Sequence, residues 1–339
     1  MRHLFSIITG ALALLFAIDA HATIDASLQM QLGNPSGAIV DTNNHNHYLI
    51  QRSVEALDYS DNLGEPNWAS WDLTASDIGS SGRSDFLTDT TLPPNFNWVG
   101  TADYTDSGYN RGHMCPSEDR SDNTNDNKLV FYMSNVIPQT ADNNQGPWEK
   151  LESYCQSLAQ TGDELLIMCG PNGFSGARIN TNGPVFIPDY IWKIAVVVPP
   201  GSGTASSRIT SSTRVIAVNM PNISGIRSLS WTNYITSVNQ IQTNTGYTFF
   251  TALPPDVAAA LRAEVDGVTT LPPTLTIMLT NLNSIVLSWS SPSTNFMLQQ
   301  NSDLTTTSWL DVTNSISGQN QIILPLSPQS SYFRLIDSQ

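Results

Sequence analysis

"YNRGHMCPSEDR", residues 109–120, sets a single histidine between glycine and methionine, three positions after Asn110. The chain holds five histidines: His3, His21, the pair His45 and His47 in "NHNH", and His113. Imidazole titrates near neutrality, which suits it to moving protons, yet a lone histidine is equally at home in a hydrogen-bonded core. The surrounding chain decides between these roles.

Upstream, "MRHLFSIITGALALLFAIDAHAT" has a basic start, an apolar run from Leu4 to Ile18 and small residues at 20 and 22. That is the pattern of a cleaved export signal, residues 1–22, with cutting after Ala22. The run is too short and too poorly flanked for a membrane span. Export predicts a secreted or periplasmic protein. The formal charge is −15 with only 13% charged residues. Polyanion binders usually carry a basic footprint, so any grip on nucleic acid has to be local. The three cysteines, Cys115, Cys155 and Cys169, form no CxxC and no zinc spacing. Scattered in this way they are expected as buried thiols, with no pairing assigned.

Residues 43–265 mix strand-like and helical pieces. "HYLIQRS", "ALDYS" and "WASWDLT" alternate as strands do, and "ELLIMCG", "IWKIAVVV" and "TRVIAVNM" are apolar runs of strand length, expected at the centre of a sheet. "PWEKLESYCQSLAQTG" predicts a helix opened by Pro147 and closed by Gly162. Two more helices are expected over "WTNYITSVNQIQTNTGY" and "PDVAAALRAEV". The mixed order predicts an α+β domain with mainly antiparallel sheet, preceded by a segment at 23–42. A Pro- and Thr-rich linker, 266–274, leads into six short strands over 275–339, the pattern of a small fibronectin- or immunoglobulin-like β-sandwich. Trp289 and Trp309 are expected to fill its core.

The ordered set "NRGH", "SNVIPQ" and "NQGPWEKLE" resembles the DNA/RNA non-specific endonucleases of the ββα-metal class, related to endonuclease G. "PNWASWDLT", "RSDFLTDTTLP", "GPNG" and "TRVIAVN" extend the likeness from about residue 43 to about 262, short of the C-terminal strands. The resemblance implies an endonuclease that cuts DNA and RNA without sequence preference, using Mg2+ or Mn2+. It implies His113 as general base, Asn144 as metal ligand, and Glu152 as a catalytic group acting on metal-bound water. It implies Arg83 facing the scissile phosphate, with Arg111 and Asn135 at the substrate.

The chemistry of these groups agrees. Phosphodiester cleavage needs a base for water and positive charge at the developing oxyanion. An amide oxygen suits a hard cation that keeps most of its waters, and a guanidinium fork matches phosphate. Arg111 has two open roles, phosphate contact or support of the metal loop. Asn144 on its own also reads as a helix cap. Eight residues of helix between Asn144 and Glu152 would separate them by about 12 Å, so direct sharing of one ion is awkward unless Asn144 lies in a bent approach to the helix. Trp148 is expected as a packing anchor.

Two positions depart from the family pattern. Asn110 stands where aspartate is usual, keeping an acceptor oxygen but losing a charge. Gln156 stands where many relatives have arginine. These departures and the acidity leave two competing readings: a weakened nuclease fold used for binding or adhesion, and a metal phosphodiesterase for small substrates.

Overall fold

A computed structural model describes residues 26–180, 183–267, 274–281, 283–290, 296–312, 321–327 and 329–337. The expected signal, 1–22, and most of the expected linker, 266–274, lie outside these residues. The strands are β1 (Tyr48–Gln51), β2 (Ala56–Ser60), β3 (Glu65–Leu73), β4 (Asn110–His113), β5 (Val136–Gln139), β6 (Glu164–Asn172), β7 (Tyr190–Val198) and β8 (Arg214–Pro221). Six of them form one antiparallel sheet in the order β1-β2-β3-β6-β7-β8. The helices are short: α1 (Ala26–Gln29), α2 (Thr124–Val130), α3 (Ala141–Asn143), α4 (Glu149–Gln160), α5 (Ala205–Arg208), α6 (Val238–Thr245) and α7 (Pro255–Ala263).

The unbroken apolar texture of β6, β7 and β8 has a physical cause. Successive side chains point to opposite faces, and here both faces are covered. Leu165, Ile167, Ala195, Val197, Ile216 and Val218 join one core, and Leu166, Met168, Ile194, Val196, Val215 and Ala217 join another. The first core receives α4 through Leu151, Cys155 and Ala159, spaced four apart on one helical stripe. The second receives Val238 and Ile241 of α6 and Ala258 and Leu261 of α7. The three cysteines are free, buried thiols, as expected.

On the α4 side, β4 and β5 pair antiparallel, with Asn110 opposite Gln139 and His113 opposite Val136. Two strands followed by α4 give the ββα unit. Gly112 is required by close approach. A Cβ at that position would stand 2.2 Å from Gln139 Oε1 and 2.7 Å from Gln139 Cβ.

The expected long helix at 231–247 is broken. A 3-10 turn, Trp231–Tyr234, precedes Ile235, which bridges to Val218 on the edge strand β8. Ser237 then caps α6, its side chain accepting from Gln240 N. The bridge to β8 and the fresh cap together defeat the helical periodicity.

Beyond residue 273 come β9 (Thr274–Asn281), β10 (Ser284–Ser290), β11 (Phe296–Asn301), β12 (Leu310–Asp311), β13 (Gln321–Pro325) and β14 (Tyr332–Asp337). They form two three-stranded sheets, β13-β10-β9 and β12-β11-β14. Leu287, Trp289, Leu298, Val312 and Ile322 make one core between them, the expected sandwich. Trp309 departs from expectation: it is half-buried, with the Arg334 guanidinium 4.3 Å above its ring.

Gly112→Ala tests the hairpin. Overpacking against Gln139 should cost about 1–3 kcal/mol and, by displacing His113, lower the nucleic-acid cleavage that the resemblance implies. Urea unfolding and plasmid nicking measured on the same preparation check both effects.

Candidate active site

His113 ends β4 against two aromatic rings, Phe86 and Phe131, whose own centroids are 5.0 Å apart. Its ring centroid lies 4.9 Å from that of Phe86 and 4.7 Å from that of Phe131. Burial, helped by the nearby positive charge of Arg83, lowers its pKa to about 3, so the imidazole is neutral throughout the physiological range. Nε2 is sealed from solvent and has no hydrogen-bond partner. Nδ1 is therefore the ring nitrogen left to meet a water in the cleft, and it can accept a proton only while Nε2 carries one.

Asn135 was expected at the substrate, and the structure corrects this. Its side chain is fully buried. Nδ2 donates to Cys115 O at 2.9 Å and Val130 O at 2.8 Å, and Oδ1 accepts from Cys115 N at 3.0 Å. No polar atom is left for a ligand. Asn135 instead fastens the chain just beyond His113 to the entry of β5, where Met114 N also donates to Asn135 O at 2.9 Å.

Asn144 follows α3 and begins a π-helical turn, Asn144–Trp148, in which Gln145 and Gly146 leave helical geometry. The kink is made by tight packing: a Cβ on Gly146 would stand 2.7 Å from Arg227 Cα and 2.9 Å from its carbonyl oxygen. Asn144 thus sits in a bent approach to α4 and is not its cap. Its Nδ2 donates to Asn110 Oδ1 at 3.1 Å, and Gln145 Nε2 donates to the same oxygen at 3.2 Å. Asparagine at 110 keeps the acceptor that an aspartate would offer.

Glu152 projects from the first turns of α4. Burial pushes its pKa up to about 7, against the pull of Lys193, whose Nζ donates to Oε1 at 3.2 Å. Trp148 is fully buried, as expected of a packing anchor. Gln156, one turn on, donates to the buried carboxylate of Asp119 at 2.9 Å. In this arrangement position 156 presents an amide where a cation is usual.

Two guanidinium groups flank the histidine. That of Arg83 lies 5.3 Å from the Phe131 ring centroid and that of Arg111 lies 5.0 Å from the Phe86 ring centroid. Arg83 pairs with Glu118 at 2.6 Å, and both side chains are more than half exposed. Arg83, Arg111, His113, Asn144 and Glu152 all line one open cleft of about 670 Å³, with Asn110, Glu118, Glu149 and Gln156 on the same walls. Of the residues singled out in the sequence, Asn135 alone stands behind the wall.

The family model for DNA/RNA non-specific endonucleases matches residues 33–256. The chain belongs to that family. It is a family of hydrolytic nucleases. A nuclease of Nostoc sp. is 41% identical over 243 residues, covering 71% of this chain and 87% of the relative. The nuclease of Serratia marcescens is 25% identical over 261 residues, covering 74% and 91%. In three dimensions the crystal structure of the EndoG/EndoGI complex superposes with a TM-score of 0.56 at 21% identity, covering 67% of this chain and 92% of that one. That likeness concerns the fold.

Three contributors to the site escaped sequence reasoning. Phe86 stands inside "RSDFLTDTTLP" and Phe131 three residues before "SNVIPQ", yet an aromatic residue in or beside a motif gives no sign that it will pack on an imidazole. Lys193 lies in the apolar run "IWKIAVVV", and its charge was the signal that could have drawn attention to it.

Asn135→Ala should unfold at lower urea. Removing an amide that satisfies three buried backbone groups costs about 1–3 kcal/mol for each group left unsatisfied, less any relaxation. Activity should fall in step with the loosening of His113, which nicking assays well below the unfolding midpoint would show.

Proposed function

We propose that the protein is an exported endonuclease that hydrolyses DNA and RNA without sequence preference, with Mg2+ or Mn2+ bound at Asn144 and His113 as general base. The observation that carries the reading is the convergence of Arg83, Arg111, His113, Asn144 and Glu152 on one cleft. Export to the periplasm or the medium rests on the leader-like residues 1–22.

The donors present fit a hard, well-hydrated cation. Asn144 donates its amide hydrogen to Asn110, which leaves its oxygen for an ion. Lys193 occupies one oxygen of Glu152, which leaves the other for a metal-bound water. Among the described residues no group of three or more His, Cys, Asp or Glu is placed to hold an ion. So sparse a set suits Mg2+, which keeps several waters and accepts substrate phosphate as a ligand. Bound there, the ion would supply Lewis acidity to the phosphate and its leaving oxygen.

The protein's own groups do the rest. His113 Nδ1 takes the proton of the attacking water. Arg83 offers its planar fork to the phosphate, and leaving Glu118 costs little because the pair is exposed. Arg111, over the Phe86 ring, lines the same cleft. Contacts made to phosphate fix position and carry no sequence information, which agrees with cleavage of many sequences.

His113→Ala should lower plasmid nicking by at least about a hundredfold while circular dichroism stays unchanged. Near-normal turnover by the folded variant would remove His113 from the mechanism.

Acidity should act through Glu152. Its carboxyl gains a proton as the pH falls through about 7 and loses the negative charge that attracts the ion. The metal concentration for half-maximal cleavage should therefore rise from about pH 8 to about pH 6, and added Mg2+ should recover the lost rate. His113 stays neutral over that window and contributes nothing to the effect. Metal titrations at several pH values measure it; a half-maximal concentration independent of pH would contradict it.

A further inference from the structure

Lys193 is the buried lysine of β7, paired in the sheet with Cys169 on one side and Val218 on the other. Its side chain is only 2% exposed. Nζ lies 4.2 Å from the ring centroid of Trp148 and 5.7 Å from that of Trp71. Among the described residues, the single hydrogen bond that its ammonium makes goes to Glu152 Oε1, at 3.2 Å. A charge so far from water persists only with a counter-charge, and aromatic faces add to its retention. The architecture is directional. The lysine reaches Glu152 from strand β7 and does not itself line the cleft, whereas Glu152 lines it together with Asn144 and His113.

We infer that Lys193 is a positioning residue of the nuclease site: it holds one oxygen of Glu152 from behind and so presents the other to the water shell of the cation. The inference rests on the metal-dependent reading above and deepens it. Sheet and helix also share an apolar core, Leu151, Cys155 and Ala159 with Ile167, Val197 and Val218, besides this pair. The ammonium therefore acts on the site through Glu152. Groups that orient the ligands of a metal commonly change its affinity by about 10–100-fold when removed.

The test is a double-substitution cycle with Lys193→Met and Glu152→Gln in the full-length protein. Mn2+ binding is measured by calorimetry without nucleic acid, and the metal concentration for half-maximal plasmid nicking is measured alongside. Lys193→Met should weaken Mn2+ binding by at least about tenfold and leave the KM for DNA at saturating metal nearly unchanged. In the Glu152→Gln background, Lys193→Met should have no further effect on Mn2+ affinity, because the residue it acts through is already altered. Lys193→Arg should rescue part of the loss. If Lys193→Met alone fails to fold, the double variant, which leaves no unpaired charge, is compared with Glu152→Gln alone. Equal Mn2+ affinity then supports the role, and a further loss overturns it. Unchanged Mn2+ affinity in folded Lys193→Met, or additive losses in the cycle, would overturn the inference while leaving the nuclease reading intact. A wild-type protein without metal-dependent nicking would instead defeat the underlying reading.

Discussion

The site depends on one buried amide. Asn135 joins three backbone groups, the N–H and C=O of Cys115 and the C=O of Val130, without a side-chain partner of its own. Few contacts constrain so much: β4 ends at His113, β5 begins at Val136, and α2 ends at Val130. An amide can close this junction because it carries donor and acceptor in one rigid plane. A carboxylate would lack the donors, and an aliphatic side chain would leave the peptide groups unpaired in the core. The residue that looked like a substrate contact is thus the reason that the imidazole has a fixed position.

A second constraint follows from steric exclusion. Continuous helix from Asn144 to Glu152 would carry the two side chains about 12 Å apart along the axis. The structure avoids this by interrupting the helix at Gln145 and Gly146, where the backbone of Arg227 leaves no room for a Cβ. Asn144 then turns toward Asn110 while Glu152 remains on α4, and both reach one cleft. Gly112 serves the hairpin in the same way, giving its space to the side chain of Gln139. Two missing side chains, one on each side of the cleft, shape the site as surely as the polar ones do.

Much of this was legible in the sequence, and the boundary has a physical meaning. Strands were readable because burial on both faces writes long apolar runs, and the C-terminal strands because short alternating segments are separated by turn residues. The helix at 147–162 announced itself with Pro147 and Gly162. The failure at 231–247 came from a contact distant in sequence, Ile235 with Val218, which local periodicity cannot report. Asn135 was misread for a similar reason, since a motif asparagine has the same letter whether it faces a ligand or three peptide groups. The departure at Asn110 turned out milder than its lost charge suggested, because the structure uses only its acceptor oxygen.

The acidity that argued against nucleic acid also finds its place. A net charge of −15 gives no long-range attraction for a polyanion. Glu118 and Glu149 stand on the walls of the cleft beside the two arginines. Positive charge stands instead at short range, with Arg83 and Arg111 over the two aromatic rings against which His113 packs. Lys193 is held beneath the surface and neutralised by Glu152, so it adds nothing to the outward field. Under the proposed function, a grip made by two guanidinium groups and an ion would release fewer counterions than an extended basic groove. Binding of this kind stays weak and local, which suits an enzyme that must leave each cut end and take the next phosphate whatever bases surround it.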